Sequence, residues 1–142
     1  MPPVTLVVTD RPEPAEIEFI GAGLTVYNVE RAGVNDERPL AVFAKDPDTG
    51  ALLGGLTGRT SLGLMFVDLF YLTDALRGDG VGREILRLAE EEGRRRGCGA
   101  AVLYTISFQA PAFYEKFGWR RFGEVPCDPP GTSRVFMTKT LH

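Results

Sequence analysis

A run of mainly apolar residues, Leu62 to Leu72, leads into Arg77-Gly78-Asp79-Gly80-Val81-Gly82, and an amphipathic helical pattern begins directly behind it. A strand, a glycine-rich turn and a helix N-terminus in that order leave the chain few options. Gly78, Gly80 and Gly82 carry no Cβ, so an anion can approach the main chain where unpaired N–H groups and the positive end of the helix dipole converge. The pattern predicts a cradle for a phosphate-bearing ligand.

Around this unit the expected order is strand, helix, a three-stranded antiparallel meander, then helix, strand, helix and two strands. Val4 to Thr9 alternates and is rich in β-branched residues, which reads as a first strand. From Pro14 the residues Ile17, Ile20, Leu24 and Tyr27 fall at helical spacing, with a stop near Gly33 and a break suggested by Gly21 and Gly23. Leu40 to Lys45 and Leu52 to Thr60 flank the turn Asp46 to Gly50, with a bulge expected at Gly54-Gly55. Leu64 to Thr73 is the third strand of the meander. The helix behind the cradle, Val81 to Arg96, is expected to bury Val81, Ile85, Leu86, Leu88 and Ala89 and to leave Glu90, Glu91 and Glu92 on a solvated face, paired with Arg94, Arg95 and Arg96. Ala100 to Ile106 is a buried strand, Pro111 to Phe117 a short helix, and Trp119 to Val125 and Val135 to Leu141 the last strands. This predicts an α/β fold in one domain, residues 1–142, long enough to bury roughly 70% of the surface of the unfolded chain.

Composition narrows the function classes. The net charge is −3, which argues against broad nucleic-acid binding, a mode that neutralises many phosphates with clustered Lys and Arg, and leaves room for a cationic amine. No apolar run is long enough to span a bilayer and the N-terminus lacks a signal-peptide layout, so no membrane association and a cytoplasmic location are expected. Cys98 and Cys127, with His142 as the single histidine, make neither a disulfide framework nor a metal site.

The cradle is not of two familiar kinds. A GxGxxG dinucleotide fingerprint would require glycine where Arg83 stands, and a P-loop would require Lys-Ser/Thr where Gly82 is followed by Arg83-Glu84. What remains is R-x-x-G-x-G opening a helix, in Arg77, Gly80 and Gly82. Downstream, Ala110-Pro111-Ala112-Phe113-Tyr114-Glu115-Lys116-Phe117-Gly118-Trp119 places a tyrosine on a short helix before a glycine and an aromatic. Together the two motifs resemble the GNAT superfamily of acyl-CoA-dependent N-acetyltransferases, over about Leu40 to Leu141. Ser107 to Pro111 is similar to one small bacterial subgroup of that superfamily.

The resemblance implies a mixed, mostly antiparallel sheet with helices on both faces and a splayed strand pair that admits a pantetheine arm. It implies acetyl-CoA as donor, held by Phe70, Tyr71 and Leu72 along the arm and by Arg77, Gly78, Asp79, Gly80, Val81, Gly82 and Arg83 at the diphosphate. Ser107 and Ala110 stand beside the donor, Ser107 where many members carry asparagine. Tyr114 is the expected general acid for the departing thiolate. Asp68, read as in phase with Phe66, Phe70 and Leu72 and costly to bury without a purpose, is either the base for the ammonium or a carboxylate satisfied by its neighbours. Tyr27, Asn28 and Glu30 are candidates for the acceptor pocket. The expected reaction is acetyl transfer to a primary amine of a small molecule, with a protein lysine or N-terminal amine, or a non-catalytic acyl-CoA sensor, as alternatives. The apolar last strand fits either a homodimer contact or an ordinary sheet interior.

Overall fold

The computed structural model describes residues 2–142, in two bodies that divide between Asn35 and Asp36. The first contains α1 (Pro14–Ala32). Pro14 opens the helix, the Glu16 carboxylate accepts the Glu13 N–H at 2.9 Å, and Gly33 closes it in the left-handed conformation. The helix runs unbroken through Gly21 and Gly23. The strand expected at Val4 to Thr9 does not form: these residues enter no ladder, and an alternating pattern with no neighbour to hydrogen-bond stays irregular.

The second body carries a six-stranded sheet: β1 (Arg38–Lys45), β2 (Leu52–Ser61), β3 (Leu64–Leu72), β4 (Ala100–Ile106), β5 (Arg120–Cys127) and β6 (Thr132–Thr140), in spatial order β1-β2-β3-β4-β6-β5. Only β3 and β4 run parallel, joined by α2 (Val81–Arg95), which is the connection a parallel pair requires. α3 (Pro111–Lys116) links β4 to β5. The hairpin between β1 and β2 closes on Asp46, whose Oδ1 accepts the N–H groups of Asp48 and Thr49 at 2.8 and 2.9 Å. Those bonds hold the Asp46 carboxyl below its usual range. β6 has a neighbour on each side, so its apolar residues are sheet interior.

The core lies between one sheet face and α2. Leu40, Leu56, Met65, Leu103, Val135 and Met137 meet Ile85, Leu86 and Ala89. Full burial of such side chains is worth about 1.5–3 kcal/mol each. Close approach is built in at Gly93, where a Cβ would sit 2.8 Å from the Met65 sulfur. Two expectations for α2 fail. Leu88 is 40% exposed, and Glu90, expected in solvent, is buried. The Glu90 carboxylate accepts the Lys139 ammonium at 2.6 Å and the Trp119 indole N–H at 3.1 Å, so the helix carries one charge inward because a cation and a donor meet it there. Among the described residues no helix is long and apolar enough to cross a membrane.

Candidate active site

A break in the middle of the sheet creates the site. β3 and β4 are paired only from Leu64–Phe66 to Ala100–Val102, and beyond that the two strands part. β3 keeps β2 as its outer neighbour, while β4 keeps β6 through to Ile106 opposite Arg134. Where the strands part, β3 also bulges. Gly58 opposes Val67 and Thr57 opposes Leu69, leaving Asp68 as the extra residue. Gly58 is needed there because a Cβ would lie 2.0 Å from the Phe66 carbonyl oxygen.

The bulge corrects the expected phase of Asp68. Phe66 lies opposite Arg59 on the sheet face away from α2, whereas Phe70 and Leu72, opposite Leu56 and Gly54, pack toward the core. Asp68 turns to Arg59, Nη1 to Oδ1 2.7 Å, on the Phe66 side. Its side chain is about half exposed, 45%, so it carries no burial cost that demands a purpose. The expected bulge at Gly54-Gly55 is likewise displaced: both glycines pair in register, and the irregularities fall beside them, at Ala44/Lys45 and at Thr57/Gly58.

Behind β3 a 3₁₀ turn, Asp74–Leu76, brings the chain to the cradle. Arg77 is the brace of this turn: its Nε donates to the Leu72 carbonyl at 3.1 Å and its Nη1 meets Asp74 at 3.0 Å. Gly78 and Gly80 both adopt positive φ, +88° and +81°, and Gly80 caps α2. The first intrahelical bond is Glu84 N–H to Gly80 O. The N–H groups of residues 78–83 donate to no acceptor among the described residues, and a Cβ at Gly78 or Gly80 would meet open space. These are the properties of an anion site built from main chain, and a diphosphate fits its chemistry.

A cleft of about 910 Å³ runs from this cradle through the gap between β3 and β4. Leu72, Gly80, Gly82, Arg83 and Phe113 line one end, Asp68, Leu69, Tyr104 and Arg134 the other. Tyr114 stands between them on α3, its ring edge-on to Phe70, Phe113 and Trp119 with centroids 6.3, 5.4 and 5.8 Å away. Its hydroxyl makes no hydrogen bond among the described residues, and burial pushes the phenol up to about 12 from its ordinary value of 10.0.

Residues 9–119 match the model of the acetyltransferase (GNAT) family. The chain belongs to the GNAT acetyltransferases. It is 32% identical to Acetyltransferase Atu2258 of Agrobacterium fabrum, over 96% of this chain and 98% of that one. It is 34% identical to the blasticidin-S acetyltransferase of Streptomyces morookaense, over 80% of this chain and 85% of that one. A crystal structure from Agrobacterium tumefaciens superposes with a TM-score of 0.89 at 31% identity, covering 96% of this chain and 99% of the other. The GNAT fold expected from the two motifs, mixed and mostly antiparallel, is the one observed, and the chain is an acyltransferase.

In this acetyltransferase Phe70, Tyr71, Leu72, Arg77, Gly78, Gly80, Gly82, Arg83, Ala110 and Tyr114 all lie on the cleft wall, as does Asp68. Asp79, Val81 and Ser107 do not. The Ser107 hydroxyl instead accepts the Ser133 N–H at 3.0 Å, fastening the end of β4 to β6. Gln109 is similarly occupied, its Oε1 accepting from Ile106 N–H and Thr105 Oγ1 at 2.9 and 3.1 Å. Tyr27, Asn28 and Glu30 are on the last turns of α1, in the first body. The sequence reading missed Tyr104, Lys116 and Arg134. Strand alternation placed Tyr104 and Arg134 on a known side of their strands, but nothing local shows that β4 loses a neighbour there.

Proposed function

We propose that the enzyme transfers the acetyl group of acetyl-CoA to a primary amine of a small molecule by direct attack within a ternary complex. One observation carries this reading: Gly78, Gly80, Gly82 and Arg83, whose amides are unpartnered among the described residues, and Tyr114, whose hydroxyl is likewise unpartnered, line the same cleft. Similarity to the blasticidin-S acetyltransferase supports a small-molecule acceptor.

The amides of residues 78–83 and the Arg83 guanidinium hold the diphosphate. Main chain at Phe70, Tyr71 and Leu72, facing the gap that β4 leaves, holds the amide-bearing arm, with Ala110 across from it. An N–H there polarises the acetyl carbonyl. When bound, the thioester supplies an activated acyl carbon and a thiolate that can leave. Asp68 receives the acceptor's ammonium and takes its proton, directly or through water; Arg59 opposes it only in an exposed pair, worth about 0–1 kcal/mol, which an incoming amine can displace. As the C–N bond forms and the C–S bond breaks, Tyr114 gives its proton to sulfur, and the second proton leaving nitrogen returns through water to the phenolate. Free Cys98 and Cys127 accord with a cytoplasmic location.

Thermal unfolding and thiol release test this together. Acetyl-CoA at about 100 times its dissociation constant is expected to stabilise the protein by roughly 2.7 kcal/mol, and NAD to leave it unchanged. Thiol release is expected with some members of a panel of small amines. Stabilisation without release for any amine would indicate an acyl-CoA sensor, and no stabilisation would overturn the donor site.

A further inference from the structure

The cleft wall carries a cation that no carboxylate answers among the described residues. Arg134, the third residue of β6, lies opposite Ile106 of β4, and side chains alternate along β6, with Ser133, Val135 and Met137 buried on the other face. Arg134 therefore shares its own face with Phe136 and with Tyr104, whose ring lies 5.7 Å from that of Phe136. It is half-buried. Three other cations are similarly half-buried among the described residues, and each sits on a carboxylate: Arg59 on Asp68, Arg96 on Glu92 and Lys139 on Glu90. Arg134 has no carboxylate within 4.0 Å among the described residues, and its recorded hydrogen bond goes to Cys127 Sγ, a weak acceptor, at 3.1 Å. A guanidinium has five N–H donors, so most of this one's binding capacity is unused.

The charge of the whole cleft points the same way. Its walls carry Arg77, Arg83, Lys116 and Arg134 against a single carboxylate, Asp68, which Arg59 already opposes. Arg83 and the glycine cradle belong to the α2 side of the sheet, where the donor's phosphates are proposed to sit. Arg134 is on the far face, beyond the gap. A polycationic acceptor would meet like charge there.

We propose that Arg134 is an anion subsite for the acceptor, and that the acceptor is an amine that also carries a carboxylate several bonds away. The amine lies toward Asp68 and Tyr114, the carboxylate pairs with the planar guanidinium, and the Tyr104 ring flanks the link between them. This rests on the acetyltransfer reading above, and names its acceptor class.

The test uses 3-(aminomethyl)benzoate and 3-(aminomethyl)benzamide, which present closely similar amines and differ in the charge at the far end. With acetyl-CoA, kcat/KM for the benzoate is expected to exceed that for the benzamide by at least tenfold. Arg134→Gln should erase the difference and Arg134→Lys should restore part of it, with the KM of acetyl-CoA changing by less than twofold in both. Equal use of the two amines, a preference for the benzamide, or a preference that survives in Arg134→Gln overturns the proposal. So does a larger change in the KM of acetyl-CoA than of the amine, which would assign Arg134 to the donor. If neither amine releases thiol, calorimetric binding of both to the CoA-saturated protein decides. Tighter binding of the benzoate, lost in Arg134→Gln, supports the subsite while the acetyltransfer reading fails; no binding, or no difference, overturns the subsite.

Discussion

Tyr114 is buried among three aromatic rings, yet its hydroxyl is left for the cleft. Exchanging that hydroxyl for hydrogen keeps the packing and removes the proton. Tyr114→Phe is therefore expected to lower turnover about a hundredfold to ten-thousandfold, the span of general acid catalysis, with the dissociation constant of acetyl-CoA unchanged in a calorimetric titration. The pH dependence has a definite sign. The acid is competent while protonated, and burial has raised its pKa to about 12, so the alkaline decline that an ordinary phenol would impose near 10.0 moves upward. Turnover with saturating amine should show no downward limb from this group up to about pH 10.5, and a limb centred near 10 would place the proton elsewhere. Asp68 is tested separately. Asp68→Asn should lower kcat/KM for the amine while leaving the KM of acetyl-CoA unchanged; a kcat/KM that does not move assigns the base to water.

At the scale of elements, the cradle separates binding from stability. Gly80 caps α2 at φ +81°, where a residue with a Cβ is strained by about 1–2 kcal/mol. The space beyond it is open, so Gly80→Ala is expected to cost little beyond that strain and the lost cap preference while crowding the approach to the amides. Its acetyl-CoA dissociation constant should rise more than tenfold, and a Tm loss larger than the strain explains would show that the turn has collapsed. The cradle and its helix were legible because glycine spacing and a helical stripe are local signals. The bulge at Asp68 was not, since the glycine that permits it, Gly58, is on the neighbouring strand. Val4 to Thr9 looked like a strand because alternation reports a preference and not a partner. Glu90 was half legible: it lies four residues after Leu86 and three before Gly93, on the buried stripe of α2, but Lys139 and Trp119, which let it stay there, are remote in sequence. That Arg134 meets no carboxylate among the described residues was invisible for the same reason, since lacking a counter-charge is a property of the whole arrangement.

At the scale of the molecule, Glu90 ties three parts together. It joins α2 to Lys139 of β6 and to Trp119, while Lys139 also donates to the Phe117 carbonyl at the end of α3 and the Trp119 ring packs on Tyr114. Removing Lys139 leaves the buried Glu90 carboxylate with only the half-exposed Arg94 at 3.7 Å and the indole N–H. Lys139→Met is expected to destabilise the fold by about 3–5 kcal/mol in denaturant unfolding, and the paired replacement Glu90→Gln with Lys139→Met to recover a large part of that loss. The parting of β3 from β4 has a different consequence. Sheets ordinarily exchange their amide protons with solvent fastest at the margins and slowest at the centre. Here the seam is central, and alternate amides of residues 67–72 face it without a strand opposite. In the free enzyme deuterium should therefore enter the heart of the sheet early, and acetyl-CoA, by lying along that seam as a borrowed strand, should slow its uptake there more than anywhere else outside the cradle.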